Sequence, residues 1–112
     1  DRVFLARLYW FTVEFGLLRQ PDGALKIYGG GILSSPGETA HAISDAPLLK
    51  PFELIDVLRT PYRIDILQPL YYVLDSFRDL HALTRVDLLA AVSDARRLGL
   101  HAPLFPPKPL AA

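Results

Sequence analysis

The sequence contains no cysteine, which excludes disulfides, zinc–thiolate centres and thiol nucleophiles and is compatible with a reducing cytoplasm, the expected location. It has no excess of either charge: 12 Lys and Arg balance 12 Asp and Glu, and no basic run occurs. The electrostatic footprint of a nucleic-acid binder is therefore missing. No apolar run reaches 18 residues, and no cationic leader with a small-residue cleavage site is visible, so neither a membrane span nor a secretion signal can be read. Methionine is absent altogether, the initiator included, and 112 residues suffice for one small domain, so the chain is expected to be a piece of something longer.

Apolar residues are plentiful, at 51% of the chain. A domain of this size hides only about two-thirds of its unfolded surface, so an exposed apolar face, or self-association that covers one, is expected. The richest stretch is Leu5-Ala6-Arg7-Leu8-Tyr9-Trp10-Phe11-Thr12-Val13-Glu14-Phe15-Gly16-Leu17-Leu18, which sets one carboxylate among residues that are apolar on nearly every side. A helix of this composition is expected to be buried all round, and a buried carboxylate costs several kcal/mol or more unless it is neutralised. Glu14 then has two readings. It is ion-paired with Arg7, Arg19, Arg63 or a cation elsewhere in the fold, or it is a metal ligand. A carboxylate among aromatic side chains suits the third position of a facial two-His-one-carboxylate iron site.

Along the chain, a first helix is expected over residues 2–18, followed by a turn at Pro21-Asp22-Gly23. Leu25-Lys26-Ile27-Tyr28 alternates as a short strand and runs into three glycines, which lack the Lys-Ser/Thr of a phosphate loop. Ser35-Pro36-Gly37-Glu38 has the arrangement of a helix start, with Ser35 as N-cap, Pro36 at N1 and Glu38 closing a capping box. A second short helix is expected over 52–59, ended by Thr60-Pro61. Leu70 to Leu74 reads as a strand pairing with 25–28, in which Tyr71 and Tyr72 are packing residues. Ser76 caps a helical turn, and Thr84-Arg85-Val86-Asp87 leads a helix that stops at Gly99. Residues 101–112 hold four prolines and read as an extended tail beyond a domain of 1–100, their P-x-x-P spacing a weak partner motif. His41, His81 and His101 lie in separate segments without ligand spacing, so each is expected to be a surface or capping histidine.

Three blocks carry a resemblance: residues 9–17, YWFTVEFGL; residues 27–38, IYGGGILSSPGE; and residues 61–77, with PYRID and QPLYYVLDSF. In this order and spacing, over residues 2 to 80, the chain resembles the pterin-dependent aromatic amino acid hydroxylases, most of all the short bacterial phenylalanine 4-hydroxylases. The resemblance implies ferrous iron and a tetrahydropterin (tetrahydrobiopterin) as cofactors, dioxygen as co-substrate and an aromatic amino acid as substrate. It implies Glu14 as iron ligand, Tyr9 near iron and pterin, and Ala6 in the pterin wall. Trp10 and Phe15 would shape the aromatic pocket, with Gly31, Ser34 and Glu38 holding the substrate. The family's two His ligands come from a His-x-x-x-x-His helix upstream of the first block, and this chain offers only eight residues before Tyr9.

The expected fold is therefore α+β, mainly helical with a small two-stranded sheet, the C-terminal part of a hydroxylase catalytic domain. The missing N-terminal part is its expected partner, and the chain alone is expected to be inactive. The absence of sustained heptads tilts the parent toward a monomer. The rival reading is a non-catalytic packing or interaction module with Glu14 in a structural ion pair.

Overall fold

A computed structural model describes residues 2–83 and 86–105. Its first helix, α1, spans Arg2–Tyr9 and passes directly into a π-helical turn at Trp10–Glu14. The widening shows in the hydrogen bonds. Phe15 N donates to Trp10 O five residues back at 2.9 Å, and the Thr12 hydroxyl donates to Leu8 O at 2.6 Å, a back-bond that bends helices. The expected helix over 2–18 thus ends early. Phe15 leaves helical geometry, and Leu17–Arg19 forms β1 instead. An apolar run does not distinguish helix from buried strand by composition, and Leu17 is 1% exposed in the sheet.

Strand β1 turns through Gln20 to Ala24 into β2, Leu25–Ile27, as an antiparallel hairpin. Asp22 accepts from Ala24 N at 2.9 Å, and Gly23 takes φ +87°, a conformation that side chains disfavour. Next come α2 (Gly30–Leu33), α3 (Pro36–Ala42), β3 (Leu48–Pro51) and α4 (Leu54–Arg59). Strand β4 (Leu70–Leu74), α5 (Phe77–Ala82) and α6 (Leu88–Leu98) complete the described elements. The α+β class stands, but the sheet has four strands, ordered β2-β1-β4-β3, not two. Leu70–Leu74 does not pair with 25–28. It lies between β1 and β3, parallel to both, and all five residues are buried. A strand enclosed on both sides and both faces is a continuous apolar run. Strand β3 was not expected, and its Pro51 is tolerable because β3 is an edge.

Several helix starts are as expected. Ser35 accepts from Glu38 N, and Ser76 accepts from Arg78 N. Gly99 closes α6 at φ +84°. Two starts differ. Helix α4 is capped by Glu53, which accepts from Asp56 N at 2.7 Å, and α6 is capped by Asp87. Thr84 and Arg85 of the expected capping box lie outside the described residues, as does the tail beyond Phe105.

The two sheet faces hold separate clusters. Tyr71 and Val73 pack with Phe15, Leu17, Ile32 and Ala42 under α2 and α3; Leu70 and Tyr72 pack with Phe11 and Val57 under α4. Trp10 packs against both clusters. A third cluster joins α4 and α6 through Leu58, Ala91, Val92 and Ala95, with Phe4 and Leu8 of α1 against it. No helix among the described residues is long and apolar enough to cross a membrane.

Candidate active site

The π-helical turn lies against the glycine-rich start of α2, and close approach explains the glycines. A Cβ at Gly29 would come within 2.5 Å of the Glu14 carbonyl, and one at Gly31 within 2.7 Å of the Phe15 ring. Glycines here let α2 sit on the turn that carries Glu14 and Phe15. A Cβ at Gly16 would collide with the Tyr28 phenol. That hydroxyl is buried without a hydrogen-bond partner among the described residues, and burial pushes its pKa well above the usual phenol value.

Glu14 is not buried all round. Helix α1 has no buried residue, and Val3, Tyr9, Val13 and Leu33 stand 60%, 54%, 49% and 61% exposed on α1, the π-turn and α2, the apolar face anticipated from composition. Glu14 is half-buried at this face. Its carboxylate meets one polar side chain, the Tyr9 hydroxyl, which donates to Oε1 at 3.3 Å. The expected ion pair is absent among the described residues. Arg7 Nη1 donates to Leu58 O, Arg19 Nη1 to Gly23 O, and Arg63 pairs with Asp65. Glu14 is thus a carboxylate with an unused oxygen beside an open apolar surface.

Trp10 is fixed between two rings, Phe15 at 4.3 Å between centroids and 30°, and Tyr62 at 4.5 Å and 13°. Phe15 in turn contacts the Gly31 backbone, and the Ser34 hydroxyl donates to Gly31 O at 3.3 Å. Trp10, Phe15, Gly31 and Ser34 therefore form one contiguous wall beside Glu14. Ala6 lies exposed one helical turn before Tyr9 and Trp10.

Glu38 is 7% exposed and does not close its capping box. Ser35 N donates instead to Ile32 O, and the carboxylate turns inward, accepting from Tyr71 Oη at 2.5 Å and Gln68 N at 3.2 Å. Burial, then the bond to Glu38, raises the Tyr71 pKa far above the phenol range. The role of Gln68 was not anticipated, although it is 2% exposed and bonds Trp10, Glu38 and His41; it opens the block QPLYYVLDSF, but its residue type and neighbours do not show which side chains it joins. Tyr62, the second ring on Trp10, was likewise missed.

His41 is not a surface or capping residue. It is half-buried, with Nε2 donating to Gln68 O at 2.7 Å. His101 pairs with Asp56 at 3.1 Å, while its backbone N donates to Arg59 O. No group of three or more His, Asp and Glu able to hold a metal occurs among the described residues. A cavity of about 340 Å³ lies elsewhere, between β3, the Thr60–Tyr62 segment and residues 101–105, without contact to Glu14 or Ser34.

A profile of biopterin-dependent aromatic amino acid hydroxylases matches residues 2–90. The phenylalanine-4-hydroxylase of Pseudomonas aeruginosa is 60% identical over 108 residues, 96% of this chain and 41% of that protein. Among solved structures, the phenylalanine hydroxylase of Legionella pneumophila superposes with a TM-score of 0.91 at 46% identity, over 95% of this chain and 42% of that one. An iron- and phenylalanine-bound phenylalanine hydroxylase from Chromobacterium violaceum gives a TM-score of 0.81 at 41% identity, over 88% and 37%. The chain spans about two-fifths of the length of the Pseudomonas aeruginosa and Vibrio cholerae phenylalanine-4-hydroxylases and less of other relatives it matches.

Proposed function

The chain belongs to the biopterin-dependent aromatic amino acid hydroxylases, and from that membership we propose that it is the C-terminal part of an iron- and tetrahydropterin-dependent phenylalanine 4-hydroxylase. The observation that carries this reading is Glu14: a half-buried carboxylate with no cationic partner and one free oxygen among the described residues, facing an open apolar surface. Such a group fits one ligand of a ferrous ion, because a hard anionic oxygen is available and no guanidinium competes for it. One carboxylate cannot hold Fe(II) against water, so the remaining ligands belong to the part of the catalytic domain outside this chain. The exposed face of α1 and α2 is the surface that part would cover. When bound, the tetrahydropterin would supply two electrons and the iron would be the centre at which dioxygen is activated for attack on the ring.

The chain's own residues bind and orient. Trp10 and Phe15 form an aromatic wall complementary to a phenyl ring and keep water from it. Gly31 and Ser34 offer a carbonyl and a hydroxyl beside that wall for the polar end of the amino acid, and Glu38 supports it from the core side through Gln68. Tyr9 holds Glu14 Oε1 by its hydroxyl and so leaves the other oxygen free, while Ala6 gives the pterin a small flat neighbour. The parent is proposed to be a cytoplasmic monomer. Against the rival module reading stands the lack of an ion pair at Glu14 among the described residues.

Glu14→Ala in the intact hydroxylase should abolish iron-dependent tyrosine formation and iron retention, while the thermal midpoint moves little because a half-buried side chain with one weak bond is lost. A variant that keeps stoichiometric iron would sink the assignment. The 112-residue chain alone should neither retain Fe(II) nor form tyrosine.

A further inference from the structure

The amide of Gln68 stands at the start of β4 with every polar atom engaged. Oε1 accepts from Trp10 Nε1 at 3.2 Å, and Nε2 donates to Arg63 O at 2.8 Å and Ile66 O at 3.2 Å. Its backbone N donates to Glu38 Oε1, and its carbonyl accepts from His41 Nε2. The orientation of the amide is dictated by chemistry: indole N–H can only donate and the two carbonyls can only accept. At 2% exposure the residue is largely shielded from bulk water, although it borders the cavity beside Thr60 and Tyr62.

The arrangement has a particular consequence. The indole held by Oε1 and the loop held by Nε2 are stacked on each other, because that loop carries Tyr62, whose ring lies 4.5 Å from Trp10 at 13°. One amide therefore sets the relative position of the two rings, and through Trp10 the position of Phe15. We infer that Gln68 is a positioning residue for the aromatic substrate, fixing the Trp10–Tyr62 stack so that the wall at Phe15, Gly31 and Ser34 accepts a ring of defined size. This rests on the proposed role of Trp10 as a pocket wall.

The test uses two preparations. In the 112-residue chain Trp10 is the sole tryptophan and gives a single indole N–H resonance. In the intact hydroxylase, KM is measured separately for phenylalanine and for the pterin. Gln68→Leu should shift the indole resonance upfield and speed its solvent exchange. It should also raise KM for phenylalanine about tenfold while pterin KM stays within about twofold. On a Trp10→Phe background, Gln68→Leu should raise KM for phenylalanine less than it does with Trp10 present, because one of the bonds it removes is already gone. An unmoved indole resonance, or equal rises in both KM values, overturns the inference. Trp10→Phe leaving KM for phenylalanine unchanged would instead sink the pocket-wall reading itself. Should Gln68→Leu not fold, Gln68→Glu keeps the acceptor for Trp10 but sets a carboxylate oxygen against the Arg63 and Ile66 carbonyls. It should retain the indole resonance and raise KM for phenylalanine through a displaced Tyr62, and an unchanged KM refutes the positioning role.

Discussion

Replacing Tyr71 by phenylalanine removes one oxygen from the core and leaves its shape almost unchanged, so the cost isolates a single hydrogen bond. That bond runs to Glu38 Oε2 at 2.5 Å, between a residue that is 0% exposed and one that is 7% exposed. Water cannot enter to replace it, and the carboxylate keeps only Gln68 N as a donor among the described residues. A hydrogen bond to a charged group contributes about 1.5–3 kcal/mol, and the enclosed setting argues for the upper half, about 2–3 kcal/mol. The next residue provides the control. Tyr72 Oη bonds the neutral Thr60 hydroxyl at 2.8 Å, and Thr60 keeps its bond to Asp56 O, so Tyr72→Phe should cost about 1 kcal/mol. Urea unfolding of the chain, followed by Trp10 fluorescence, reads both as shifts in midpoint with an unchanged slope. In a Glu38→Gln background the Tyr71→Phe cost should fall to about 1 kcal/mol, because the acceptor is then neutral. Equal costs for the two tyrosines would refute the assignment of a charge-assisted bond.

The same phenols predict an alkaline limit. Burial raises the pKa of Tyr71 and Tyr72 above the value of about 10 that they have when unfolded, so their contribution to stability is complete below pH 10. As pH rises from there toward the raised folded values it is lost, by up to about 1.4 kcal/mol per pH unit for each. Stability measured by urea melts from about pH 8 to 11 should be flat and then fall, and a profile flat throughout contradicts the burial. Gly16→Ala should cost about 1–3 kcal/mol or more, because its methyl must displace both the Tyr28 ring and the Thr12 carbonyl. A thermal midpoint within about 1 °C of the parent's would show that the turn has more room than the geometry allows.

What could be read from residues alone was local chemistry. The Ser35 and Ser76 caps, the Gly99 stop, the turn at Pro21-Asp22-Gly23 and the buried run at Leu70–Leu74 each carry their signal within a few neighbours. What escaped was non-local. Leu17 and Leu18 are as apolar in a helix as in a strand, and their pairing on one side with the hairpin partner at Lys26 and Ile27 and on the other with Val73 and Leu74, more than fifty residues away, makes them a strand. Strand β3 ends in a proline and is permitted only by its edge position. For the candidate site, the residue types in the Glu14 segment raised the metal reading but left an ion pair open, and the resemblance supplied the roles. The structure adds the contiguity of Trp10, Phe15, Gly31 and Ser34, and it supplies Gln68 and Tyr62, which no periodicity announces.

The five-residue π-turn makes the length of its segment part of the chemistry. Removing one residue between Trp10 and Glu14 would let the chain relax to ordinary α-helical winding, and each residue of winding rotates the downstream chain by about 100°. Glu14 would then stand four residues after Tyr9 and stay on its side of the helix, whereas an inserted residue would swing it off that side even with every side chain of the wall intact. The hairpin tip at 20–24 imposes no such rule, since an added residue there only lengthens a loop. Among descendants of this sequence, insertions should accumulate at the hairpin and spare the turn, independently of how freely the individual side chains of either segment vary.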